Sequence, residues 1–114
     1  MRPPVAAVSL AVAVLAGAGA AHAASFDCAH ARAADERAVC ADRGLNDQDV
    51  RMTVMFDFLR GLHAMGVAGA MRDEQRAWLA RRHACGGDRA CLSRLYAGRV
   101  HELQAAYDAL DKPI

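Results

Sequence analysis

Apolar residues recur at helical spacing through most of the chain, and no stretch shows the sustained alternation of a half-buried strand. Met71, Gln75, Trp78 and Arg82 fall on one stripe; Leu92, Tyr96, Arg99, Leu103 and Ala106 fall on another. Between the stripes lies Cys85-Gly86-Gly87-Asp88. Glycine is the usual residue just past a helix end and Asp88 suits an N-cap, so the segment predicts one helix stopping and the next starting. So short a connection makes neighbouring helices antiparallel. The hairpin from Gln75 to Leu103 is therefore the unit against which the rest of the chain is expected to pack.

A third stripe precedes it. Met52, Met55, Phe56, Leu59 and Leu62, widened by Val54 and Phe58, predict a long core-facing helix from about Asp47 to Met65, capped by Asn46 or Asp47. Gly61, Gly66 and Gly69 loosen its end into a turn or a mobile loop. Upstream, Asp35 to Cys40 predicts a short helix whose first-turn acids suit the helix dipole. The last helix is expected to fade near Asp111, because Lys112-Pro113-Ile114 cannot carry it far. The fold class is all-α: a small helical domain of about three main helices plus a short N-terminal helix.

The first 23 residues belong to export rather than to the fold. Arg2 supplies a positive start, Val5 to Ala16 is nearly all apolar, and Ala21-His22-Ala23 presents small residues where a signal peptidase cuts. The expectation is a cleaved signal peptide over 1–23 and a single mature domain over 24–114, periplasmic or secreted, with no membrane span after cleavage. Cys28 follows Ser25-Phe26-Asp27 rather than the apolar run directly, which argues against lipidation.

Export changes how the four cysteines read. In an oxidising compartment Cys28, Cys40, Cys85 and Cys91 predict two disulfides, which help a domain too small to rest on its core alone. Three pairings are open. The local ones, Cys28 with Cys40 and Cys85 with Cys91, are preferred because each pair flanks a compact element. Charge adds less. Without Arg2 the acids and bases balance, so nothing favours a nucleic-acid partner. Acids slightly outnumber bases up to Ala70, and bases lead from Met71 onward.

No nucleophile elbow, P-loop, zincin helix or dinucleotide fingerprint is present. The mature serines, Ser25 and Ser93, lack a nucleophile's context. The nearest zinc-like set is His83, Cys85, Cys91 and His101, but its Cys-x5-Cys spacing is wide and its thiols are expected to be oxidised. The chain is read as a non-enzyme without metal or cofactor. Trp78 is expected to anchor the core, with Arg82 one turn on and placed to stack over its indole.

Phe26-Asp27-Cys28, Glu36-Arg37-Ala38-Val39-Cys40, Leu45 and Asp49 closely resemble the lysozyme-inhibitor LprI-like family of exported bacterial domains. Gln75-Arg76-Ala77-Trp78-Leu79, Arg82, Cys85, Cys91-Leu92, Tyr96, Arg99-Val100 and Leu103 extend the resemblance over nearly all of the mature chain. Phe56 stands where the family usually has tyrosine, Gln48 where it has leucine, and His83 where it has an acid. The resemblance implies a helical, disulfide-linked envelope domain, and a lysozyme as its protein partner. An inhibitor must occlude a cleft that carries catalytic carboxylates on a basic enzyme. Asp47 and Asp49, in the acidic first half, are candidates to complement the enzyme's rim, and Arg89, on the Cys85–Cys91 loop, to reach its acids. The alternative is a non-enzymatic structural or adaptor domain that binds another envelope protein or a peptidoglycan component through the methionine-rich second helix.

Overall fold

The computed structural model describes residues 1–5, 9, 11 and 25–112. The expected cleavage site at Ala21 to Ala23 and most of the expected leader lie outside the described residues. Those from Ser25 onward form a 3-10 turn at Cys28–His30 and four helices: α1 (Ala34–Ala41), α2 (Arg43–Leu62), α3 (Met65–Ala84) and α4 (Arg89–Asp108). The fold is all-α, with two disulfides, Cys28–Cys40 and Cys85–Cys91.

α1 and α2 are separated by a single residue. Asp42 is extended at φ −113° and ψ 116°, its N–H closes α1 on the Ala38 carbonyl, and its carboxylate caps α2 by accepting from Leu45 N at 3.0 Å. The cap therefore sits one turn earlier than Asn46 or Asp47. Gly44 lies inside the first turn of α2, where a Cβ would come within 3.3 Å of the capping Asp42 oxygen. The far end of α2 is also tighter than expected. Only His63 and Ala64 separate it from α3, and Gly66 and Gly69 are helical residues of α3 rather than a loop.

The turn between α3 and α4 follows the sequence. Gly86 takes φ +57°, the left-handed conformation that an L side chain resists, and Asp88 accepts from Cys91 N at 3.1 Å to cap α4. Contacts of Arg82 with Tyr96, Trp78 with Leu95 and Gln75 with Arg99 show α3 and α4 running antiparallel. α2 opposes α3 in the same sense, since Asp49 faces Arg82 and Met52 faces Gln75. α2 and α4 are consequently parallel, pairing Asp49 with Tyr96 and Phe58 with Tyr107. They also form the most extensive helix pair, so the α3–α4 hairpin is not the sole organising unit.

The core gathers Val39 from α1, Met52, Phe56 and Leu59 from α2, Trp78 from α3, and Leu92, Tyr96 and Leu103 from α4. Trp78 packs edge-on to Tyr96 at 4.9 Å and donates its indole N–H to the Leu95 carbonyl at 3.3 Å. Arg82 does not stack on this indole; it lies 5.1 Å over the Phe26 ring. The α2 stripe is narrower than the sequence suggested. Val54, Phe58 and Leu62 are more than half exposed, because α3 and α4 cover only the Met52, Phe56 and Leu59 side.

Candidate functional site

Two surfaces and one buried cluster hold the residues of functional interest. The cluster lies where α1, α2, α3 and α4 meet the start of the described domain. Arg82, seven per cent exposed, donates from Nε to Asp35 at 2.9 Å and approaches Asp49 at 3.7 Å. Asp49 accepts from Tyr96 Oη at 2.7 Å, from Ser25 Oγ at 2.6 Å and from Ser25 N at 3.0 Å. Arg82 Nη1 also donates to the Ser25 and Tyr96 hydroxyl oxygens, at 3.3 and 3.4 Å. One arginine thus serves two buried carboxylates, and the second of them fastens the segment that precedes α1.

The electrostatics follow from this pairing. Burial by itself raises the Asp35 carboxyl, but hydrogen bonding and charge from Arg82, with help from His83 and the Glu36 N–H, bring it below the ordinary carboxylate range. The Tyr96 hydroxyl is pushed well above a normal phenol, first by burial and then by the negative charge and hydrogen bond of Asp49. It remains a donor at any physiological pH. These groups are mutually satisfied and packed, which is the arrangement of a structural ionic lock.

Asp49 is therefore not available to a partner. The expectation that it would complement an enzyme's rim is corrected: its side chain is fully buried and hydrogen-bonded inside the domain. Asp47, two residues earlier, points to the opposite side of α2 and is exposed. Asp35 likewise is not a solvated first-turn acid, since Arg82 holds it in the interior.

The first surface is the turn between α3 and α4. Its ends are joined by the Cys85–Cys91 bridge, and Arg89 stands on it with 65% of its side chain exposed. A long ion pair of 3.7 Å to Asp42 orients the guanidinium without burying it. With both sulfurs in the bridge, His83, Cys85, Cys91 and His101 cannot serve as a zinc set. Among the described residues no group of His, Cys, Asp or Glu is disposed to hold a metal ion, and no helix is long and apolar enough to cross a membrane.

The second surface was not anticipated as such. Residues of α2 and α4, with none from α3, line an open groove of about 830 Å³. Val54, Met55, Phe58, Val100 and Tyr107 form its apolar walls. Arg51 and His101 stand at its edge, and no carboxylate lines it among the described residues. Val50, Val54, Phe58 and Leu62 form an exposed row at four-residue spacing, and its middle members, Val54 and Phe58, line the groove. In the sequence Leu62 reads as part of the core stripe, and Val54 and Phe58 as its extra width. Their regular spacing was visible, but which neighbour would cover them was not.

No family model matches the chain, and neither a curated protein nor a solved structure matches it.

Proposed function

We propose that the protein is an exported lysozyme inhibitor that acts by occupying the enzyme's cleft, not by chemistry of its own. The observation that carries this reading is the disulfide-closed turn between α3 and α4, which presents Arg89 to solvent on a short, doubly anchored connection. A projection already held in its bound shape loses little conformational entropy on docking. Its guanidinium suits the carboxylates that a lysozyme cleft must carry. Asp47, exposed on α2, supplies negative charge for a basic rim and favours the encounter. The LprI-like resemblance supports the same reading. Several of the residues that carry it, Phe26, Asp49, Arg82 and Tyr96, converge on the buried cluster that ties the helices together.

The test is a lysis assay. The purified, oxidised protein is titrated against c-type, g-type and i-type lysozymes on peptidoglycan, beside a reduced and alkylated control. Stoichiometric inhibition of one class, lost on reduction and weakened in Arg89→Ala, is expected. Inhibition that survives Arg89→Ala undiminished removes the turn from the mechanism, and no inhibition of any class by a folded sample removes the inhibitor reading.

A second reading, a non-enzymatic adaptor for another envelope protein, is favoured by the exposed apolar groove between α2 and α4. The groove starts about 12 Å along α4 from Arg89, taking the rise per helical residue, so the two surfaces are separate.

A further inference from the structure

We infer that the α2–α4 groove receives an amphipathic helix from another protein, with its apolar stripe on Val54, Phe58 and Tyr107 and an acidic side chain at the Arg51 edge. This rests on the adaptor reading and gives it a partner of defined chemistry.

The shape comes first. Two parallel helices with an open trough between them present one side of a bundle that a further helix completes. The apolar row from Val50 to Leu62 runs about 18 Å at helical rise. That length matches three to four turns of a docked helix reading out positions i, i+3, i+4 and i+7. The groove is open along its side, whereas a ligand the size of an acyl chain is held in a pocket that buries most of its surface.

Charge selects the partner. Arg51 lines the groove, and no ion pair among the described residues engages it. His101 stands on the facing helix, and Lys112 lies 4.2 Å over the Tyr107 ring at the other end. An acidic residue flanking the incoming stripe pairs with Arg51 across a partly desolvated edge. A second copy of this chain fits less well. A two-fold contact sets the same patch on both sides, and among the described residues that patch has no groove carboxylate to answer either copy's Arg51.

The experiment uses three fluorescein-labelled helical peptides of about five turns, sharing one leucine stripe and flanked by Glu, Gln or Lys. Binding to the purified, oxidised protein is followed by anisotropy, with sedimentation of the protein alone across the same concentrations. The Glu-flanked peptide is expected to bind about tenfold tighter than the Lys-flanked one, with the gap narrowing as salt rises. Arg51→Glu is expected to invert that order. Phe58→Ser is expected to weaken every peptide about tenfold while leaving the helical signal and urea midpoint in place, because Phe58 is half exposed.

Binding of all three peptides alike, or an order indifferent to Arg51→Glu, overturns the acidic partner and leaves the adaptor reading standing. Failure of every peptide overturns both. Reversible dimerisation abolished by Phe58→Ser assigns the face to a second copy, and displacement of bound peptide by dodecanoate assigns it to an acyl ligand; either result overturns the inference.

Discussion

Arg82 Nε lies 2.9 Å from Asp35 Oδ2, although the two residues are 47 positions apart in the chain, and both side chains are almost withdrawn from solvent. The pair ties α3 to α1, and Arg82 then extends to Asp49 on α2. Removing one partner strands the other charge in the interior. Asp35→Asn is expected to cost about 3–5 kcal/mol, measured as a lowered urea midpoint. Arg82→Met is expected to cost at least as much, since it strands the buried carboxylates of both Asp35 and Asp49. An unchanged midpoint in Asp35→Asn is the result that contradicts this account.

Acid sensitivity follows from the same contact. The Asp35 carboxyl is held below its ordinary value in the folded state. Its contribution to stability is complete above the unfolded carboxylate value of about 3.9. As pH falls below that, the unfolded chain takes up the proton first, and the contribution shrinks until Asp35 itself protonates in the fold. Urea midpoints from about pH 6 down to about pH 2, a range that brackets the ordinary carboxylate values by roughly two units on either side, should decline more steeply for the natural protein than for Asp35→Asn.

Tyr96→Phe deletes one donor to Asp49 and leaves the ring in place against Trp78. A loss of about 1–3 kcal/mol is expected in denaturant unfolding, the cost of leaving a buried acceptor short of a partner. A neutral result would mean that Ser25 and Arg82 alone satisfy Asp49.

Asp47 and Asp49 separate cleanly by charge reversal. Asp47→Lys is expected to change stability by no more than about 0.5 kcal/mol, as a surface substitution. Asp49→Lys places a cation beside Arg82 in the interior and is expected to prevent folding, visible as loss of helical circular dichroism. Equal tolerance of both changes contradicts the burial of Asp49.

The two disulfides act locally. Loop closure gives about 3 kcal/mol for Cys28–Cys40 and about 2.5 kcal/mol for Cys85–Cys91. Paired serine substitutions should lower the urea midpoint in that order. A peptide map of the non-reduced protein should return just these two linkages.

The helical elements were legible because local chemistry makes them. The Asp88 cap, the glycine after α3 and the stripes through Trp78 and Tyr96 are short-range signals, and they place α3, the turn and α4. The start of α2 was missed because Asp42 both ends α1 and caps α2. A lone capping residue between two helices leaves no loop composition to read. Gly66 and Gly69 misled for the opposite reason: glycine weakens a helix without ending it, and here α3 runs through both.

The candidate surfaces were less legible. Arg89 could be assigned to the surface from its place beside a tight, bridged turn. Asp49 could not be told from Asp47, because each is an acid near the start of a helix and only the facing helices distinguish them. The apolar row on α2 had the right spacing for core, and nothing local says that one side of a helix will find no neighbour.

What the sequence by itself determined was the set of helices, the α3–α4 turn and the cysteine pairs available for local bridging, since these depend on residues within a few turns of one another. Tertiary structure alone decided that α2 and α4 lie parallel, that Arg82 joins Asp35 to Asp49, and that Val54 and Phe58 face a groove. Those outcomes depend on contacts between residues distant in the chain, 47 positions apart for both Arg82 with Asp35 and Tyr96 with Asp49, and such contacts are set by how whole helices pack.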